Sequence, residues 1–280
     1  MHAKRVGIFF IVAAVIVVTL TYINRPPRYN PEIRDWHDLQ AIRYHLDKSF
    51  ILMNDLDSTT AGYTGLASPI ANRGKGWLPI GTAYEPFAGT FDGQGYEIRD
   101  LFIDRPDKDK LDWNIGLFGC TNKKGTIKNV GVVNSYIVGW WCVGGLVGNN
   151  WGTVSNSYST SNVTGLKYAG GLVGCQSYGT VSKSYSTSNV TGTNHFGGLV
   201  GLLYGGTVNN DAFWDTETSG MEVSYGGIGK NTTEMQDITT FSSAGWDIIA
   251  VANPSTRNPS YIWNIVDDET YPFLSWEPVS

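Results

Sequence analysis

The chain has 280 residues, and 34 of them are Gly, about one in eight against a usual share of roughly 7%. Charged residues make up only 16% and the net charge is −5. No Gly-X-Y period occurs, which excludes collagen; 13% aromatic and 41% hydrophobic residues exclude disorder, and the mild acidity leaves no electrostatic footprint for nucleic acid.

In chain order, Lys4 and Arg5 precede an uncharged run from Val6 to Ile23. Its length sits at the lower edge of what crosses a hydrocarbon core of ~30 Å. No small-x-small cleavage site follows, so residues 1–25 are expected to be an uncleaved signal anchor, a transmembrane helix with the remainder outside the cytoplasm. Secretion after cleavage is the alternative. Arg25-Pro26-Pro27-Arg28 reads as a stiff spacer opening a linker and N-terminal cap over 26–57. Within it Asp35 is placed to N-cap a short helix running to Leu46, with Leu39, Ile42 and Leu46 on one face. Ile51 to Asp57 is expected to begin the first coil.

The glycines are explained by a repeat. Gly125-Thr126-Ile127, Gly152-Thr153-Val154, Gly179-Thr180-Val181 and Gly206-Thr207-Val208 recur every 27 residues. Upstream of each stands Gly116-Leu-Phe-Gly119, Gly145-Leu-Val-Gly148, Gly171-Leu-Val-Gly174 or Gly198-Leu-Val-Gly201. The unit contains short β-branched stretches between Gly, Asn and Ser, and no helical period. The sequence therefore predicts an all-β parallel β-solenoid (a β-helix) of ~27-residue coils over 58–212, stacked at ~4.8 Å. Leu146, Leu172 and Leu199 form one expected inward column, and Ile127, Val154, Val181 and Val208 another; Tyr158 over Tyr185 adds a ladder. The glycines are expected at corners, where φ is positive. Straight alternation from Val154 would bury Asn156 and Lys183, so a bend is expected near Ser155 to Ser157. Cys120 and Cys175 occupy the same point of coils two apart, about 9–10 Å, beyond disulfide reach. All three cysteines, Cys142 included, are expected as buried free thiols.

Gly-Gly-Leu-Val-Gly followed by the Gly-Thr-Val and Ser157–Gly165 strings closely resembles the GLUG motif. That motif occurs in bacterial and archaeal surface proteins, in filamentous adhesins, and as an accessory part of IgA-cleaving metallopeptidases. The segments 35–40, 50–57, 77–81 and 87–95 resemble the lead-in of such proteins, and 213–220, 233–237, 245–247 and 271–276 resemble their ending. The resemblance implies architecture rather than activity. Independently of it, an open solenoid needs covered ends. Residues 213–280 are expected to form a Trp-rich cap from Trp214, Trp246, Trp263 and Trp276, with Thr233 and Gln236 at capping-box spacing before Ile238 and Phe241.

No catalytic signature is present: HExxH, nucleophile-elbow and P-loop patterns are all missing. Asp211, Asp215 and Glu217 cluster after the last repeat and have the chemistry for acid–base polysaccharide cleavage, but they coincide with the terminal motif, which favours turn or cap roles. Asp55, Asp57 and Asp92 are hard oxygen ligands without a calcium-loop spacing, and are read as turn caps; no metal and no cofactor is expected. Asn162, Asn189 and Asn231 begin N-glycosylation sequons. Two aromatic columns stand out at the 27-residue period: Trp151 with Tyr178, and Trp141, Tyr168 and His195. Such columns stabilise any solenoid, and facing outward they offer stacking faces to sugar rings. The expected function is a non-catalytic, membrane-anchored adhesion or surface-interaction module, with surface glycans or proteins as partners. The alternatives are a polysaccharide lyase or hydrolase, or a purely structural envelope protein.

Overall fold

A computed structural model describes residues 27–108 and 113–276; the anchor expected over 1–25 lies outside the described residues. Among the described residues no helix is long and apolar enough to cross a membrane. The chain winds as a succession of short strands that pair in parallel. One full coil runs Cys142–Gly144, Val147–Asn150, Thr153–Ser155 and Tyr158–Gly165. Each segment pairs with its equivalent one coil on, Thr153 with Thr180, Val154 with Val181, Tyr158 with Tyr185 and Asn162 with Asn189. The expected 27-residue register holds for these pairs, whereas Val143 pairs with Ala169 and Val147 with Val173, 26 residues on.

The ladder also reaches further than the repeat. Thr90 pairs with Thr126 and Phe91 with Ile127, and ahead of them Phe50 pairs with Phe91. Glu32–Ile33 pairs with Ile51–Leu52, so the parallel sheet already begins at Glu32, ahead of residue 58. Beyond 212 a second parallel sheet, the one that carries Tyr158 and Tyr185, is extended by Phe213–Asp215 and Ile228–Lys230. The face carrying the Gly-Thr-Val strands ends at Val200–Val208.

Inward columns hold the coils together. Leu117, Leu146, Leu172 and Leu199 are fully buried, as are Phe91, Ile127, Val154 and Val181, while Val208 is partly buried at the end. Polar side chains share the interior because they are bonded between coils. The Ser184 hydroxyl accepts from the Ser157 N–H at 3.1 Å and donates to the Ser182 carbonyl at 2.7 Å. Thr121, Asn150 and Gln176 continue this pattern as a buried ladder. Much of the serine that replaces charge in the composition therefore lies inside.

The glycines act differently from expectation. The left-handed corners fall on Asn129, Asn156 and Lys183 (φ 54°, 46° and 43°), at the bend expected there, and on Tyr168, Tyr178 and His195. Of the Gly-Thr glycines only Gly206 has positive φ. Gly125, Gly152 and Gly179 are required by proximity: a Cβ on Gly152 would meet the Gly125 carbonyl, and one on Gly179 the Gly152 carbonyl. In the GLxG limb, a Cβ on Gly174 would meet the backbone of Cys142 and Val143 on the limb across the coil.

That close approach corrects the cysteine expectation. Cys142 and Cys175 form a disulfide with Cα atoms 5.4 Å apart, and Cys120 alone is a free, buried thiol. Comparing cysteines at the same point of the coil overlooks a pairing across the thin coil and one coil on. Burial pushes the Cys120 thiol up to about 12.

At the amino end Asp35 caps the helix Trp36–Ala41 through the His37 and Asp38 N–H groups at 2.8 and 2.9 Å. A 3-10 turn over Ile42–Tyr44 replaces the expected last turn, and Leu46 packs beside the core from outside the helix. The carboxyl-terminal region covers a flank. Tyr158 and Tyr185 stack at 5.1 Å, nearly parallel, beneath Trp246, Trp263, Phe213 and Phe241 in a second core. Trp214 joins the main core instead, and Trp276 is half exposed beside Tyr96. The capping box forms two residues before the expected pair, between Asn231 and Glu234, and Asp237 caps a separate helix over Ile238–Ser242.

Candidate functional site

The geometry of the coil decides where the aromatic columns stand. Trp141 and Tyr168 each lead into the strand ahead of a GLxG limb, and His195 holds the same left-handed corner as Tyr168. Because coils repeat in register, the rings superpose. Trp141 and Tyr168 lie 5.2 Å apart edge to face, and Tyr168 and His195 5.4 Å apart. The column is longer than the repeat suggested. Trp113 stacks on Trp141 at 5.7 Å, and Tyr225 follows His195 at 6.2 Å. The Lys167 ammonium lies 4.4 Å from the Trp141 ring centroid, a cation on an aromatic face. Trp151 and Tyr178 form the second column at 5.4 Å.

Exposure separates these rings. Trp141, Trp151 and Tyr168 are half-buried by their neighbours, while His195 is exposed and Tyr178 is 64% exposed. Within a column each ring covers part of the next, yet His195 stays exposed between Tyr168 and Tyr225. Trp113 and Tyr225 are 37% and 38% exposed, and Tyr178 ends its own column because the next coil carries Gly205 against its ring. Tyr204, 56% exposed, bulges from the final strand and meets Tyr168 of the first column at 6.5 Å. Burial raises the Tyr204 hydroxyl pKa, with Tyr168 adding to the shift.

Sequence reasoning missed Trp113, Tyr204 and Tyr225. A one-residue insertion puts Trp113 at 28 rather than 27 before Trp141. Tyr225 follows His195 by 30 in a coil that no longer carries GLxG, and Tyr204 belongs to a bulge. A search tolerant of small insertions would have found Trp113.

The carboxylates have structural partners. Asp215 is fully buried: Oδ1 accepts from the Glu217 and Thr218 N–H groups at 2.8 and 3.1 Å, and Oδ2 from the Thr232 and Tyr271 hydroxyls at 2.8 and 2.7 Å. The Tyr271 pKa is raised, by burial first and then by Asp215. Glu217 accepts from the Thr232 N–H, and Asp211 accepts from the Lys183 N–H at a different corner. Asp57 accepts from Thr59 and Thr60, the Thr59 hydroxyl first among the bonds that lower its pKa. Asp55 accepts from the Glu97 N–H, and Asp92 from Asn129 and Gln94 while pairing with Lys128 at 2.7 Å. Among the described residues no three His, Cys, Asp or Glu side chains gather as a metal site. Asn162 and Asn189 stand exposed one above the other, and the Asn231 side chain is engaged in its capping box.

The chain carries two copies of the GLUG motif, at residues 141–164 and 165–191. Halomucin of Haloquadratum walsbyi is 36% identical over 156 residues, 54% of this chain and 2% of halomucin. A Gly-rich membrane protein of Evansella cellulosilytica is 35% identical over 123 residues, 42% of this chain and 13% of that one. The chain thus spans a small fraction of the length of these relatives. A crystal structure from Bacteroides ovatus, named for an immunoglobulin A1 protease, aligns with a TM-score of 0.51 at 15% identity, covering 88% of this chain and 92% of that one. At that identity the fold is what the two share.

Proposed function

We propose that this chain is a surface-associated, non-catalytic adhesion module, anchored by its amino-terminal apolar run and binding glycans at the open faces of its aromatic columns. The observation that carries the reading is the column from Trp113 through Trp141, Tyr168 and His195 to Tyr225, with Tyr178 and Tyr204 beside it. Sugar rings present flat C–H faces that stack on exposed aromatic rings, and a parallel solenoid fixes such rings rigidly at one spacing. A rigid platform loses little entropy on binding, which suits recognition of a repetitive polymer.

Surface association is supported by the GLUG repeats and by relatives named as halomucin and as a membrane protein. The Cys142–Cys175 disulfide supports the same reading, because such bonds persist in oxidising compartments. The Asp211, Asp215 and Glu217 cluster offers little to the rival enzymatic reading, since the Asp215 carboxylate is occupied on both oxygens. Two measurements test the proposal. Protease added outside intact cells should digest the domain, and the full chain on a glycan array should retain a defined subset of polysaccharides. Retention that survives Trp113→Ala combined with Tyr178→Ala, or no retention at all, would reject glycan binding by these columns.

A further inference from the structure

Away from the aromatic columns, near the amino-terminal cap, lies a cleft of about 190 Å³ lined by Arg43, Leu46, Leu78, Tyr84, Glu85 and Asn114, among others. Its walls are largely apolar, yet Arg43 is part of them. The Arg43 guanidinium sits 4.3 Å from the centroid of the buried Trp77 ring. Its Nη1 makes one long bond, 3.4 Å, to the Gln40 carbonyl, while Nε and Nη2 are buried with no acceptor. No carboxylate among the described residues pairs with it. Desolvation, and then the nearby Arg105 charge, lower its pKa to about 9.

A buried cation with two unused donors is costly, and structures that keep one generally supply an anion. Trp77 answers the charge with its π face but offers no acceptor, so the hydrogen-bonding demand stays open. We propose that this cleft binds a small ring-bearing organic monocarboxylate, its ring lying against Leu46, Leu78 and Tyr84 and its carboxylate meeting Arg43 when the guanidinium turns to present Nε and Nη2, which the resting side chain keeps from solvent. A guanidinium presents paired N–H donors that match the two oxygens of a carboxylate. Glu85 on the same cleft disfavours a dianion such as a phosphate monoester. Asn114 adds an amide able to meet a ring hydroxyl.

The test is calorimetric titration of the full chain with benzoate and glucuronate, each against its neutral counterpart, benzamide and glucose. Saturable binding of at least one carboxylate, about tenfold or more tighter than its neutral counterpart, is expected. Which carboxylate binds identifies the ring as aromatic or sugar. Arg43→Met should abolish that preference, and Glu85→Gln should leave it intact or strengthen it. Tyr84→Ala, at a position 75% exposed, should weaken binding without lowering Tm. Should Arg43→Met fail to fold, the Arg43 Nε–Hε resonance of the unaltered chain gives an independent readout, and it must shift on saturation. Absence of binding by both carboxylates, equal binding of charged and neutral compounds, or an unmoved Arg43 resonance would overturn the proposal. Loss of stability in Glu85→Gln without carboxylate binding would make Glu85 the partner of Arg43 and overturn it equally.

Discussion

Asp215 illustrates how a single side chain decides between chemistry and structure. A carboxylate that accepts two backbone N–H groups at a helix start and two hydroxyls from separate segments ties Thr232 and Tyr271 to the last coil. Asp215→Ala leaves these part-buried donors without their acceptor, and is expected to cost about 1–3 kcal/mol in urea unfolding. Unchanged stability would mean that the carboxylate is held for another purpose. The thiols give a second residue-scale test. With Cys120 buried, its pKa raised to about 12 and the other two cysteines bonded, iodoacetamide at pH 8 should label no cysteine in the folded protein. Denaturation should expose one reactive thiol per chain, and denaturation with reductant three. Three thiols before reduction would contradict the Cys142–Cys175 pairing.

At the scale of the coil, the repeat sets both spacing and cross-section. Glycine in the Gly-Thr-Val strands admits the carbonyl of the preceding coil, so adding a single methyl group should be felt across the ladder. Gly152→Ala is expected to destabilise by about 2–4 kcal/mol, since the Cβ meets backbone that cannot turn aside. Gly65→Ala provides the contrast. That glycine lies in the helix Tyr63–Leu66 with open space around its Cβ position, and the same change should be neutral or stabilise by about 0.5 kcal/mol. Equal effects by thermal unfolding would show that the glycines serve conformational freedom alone. The period, the Leu and Val columns and the bend at Asn156 were legible because each repeats unchanged, and the cost of burying Lys183 forces the chain to turn there. The reason for the glycines was not legible, because proximity across a coil is a tertiary property that leaves no local mark. For the same reason the Cys142–Cys175 bond escaped a reading confined to equivalent positions. The Phe91 rung was hidden by a longer coil, Gly89-Thr90-Phe91 standing 36 residues before Gly125 rather than 27.

The whole molecule is a stack of coils closed at the amino end by Trp36 and its helix and flanked by a carboxyl-terminal lid over Tyr158 and Tyr185. The lid separates two kinds of aromatic column. The one beneath it is core, and those at Trp113–Tyr225 and Trp151–Tyr178 remain partly open. The sequence showed the periodic rings but could not show which were covered, because the covering residues, Trp246 and Trp263, come from outside the repeat. Only a surface with open faces can bind sugars by stacking. The most direct test is affinity electrophoresis of the full chain through gels containing the polysaccharides retained on the array. Migration should be retarded in proportion to polysaccharide concentration, and Trp113→Ala with Tyr178→Ala should restore free mobility while circular dichroism stays unchanged. Retardation that persists in that folded double variant would contradict the aromatic columns as the binding surface.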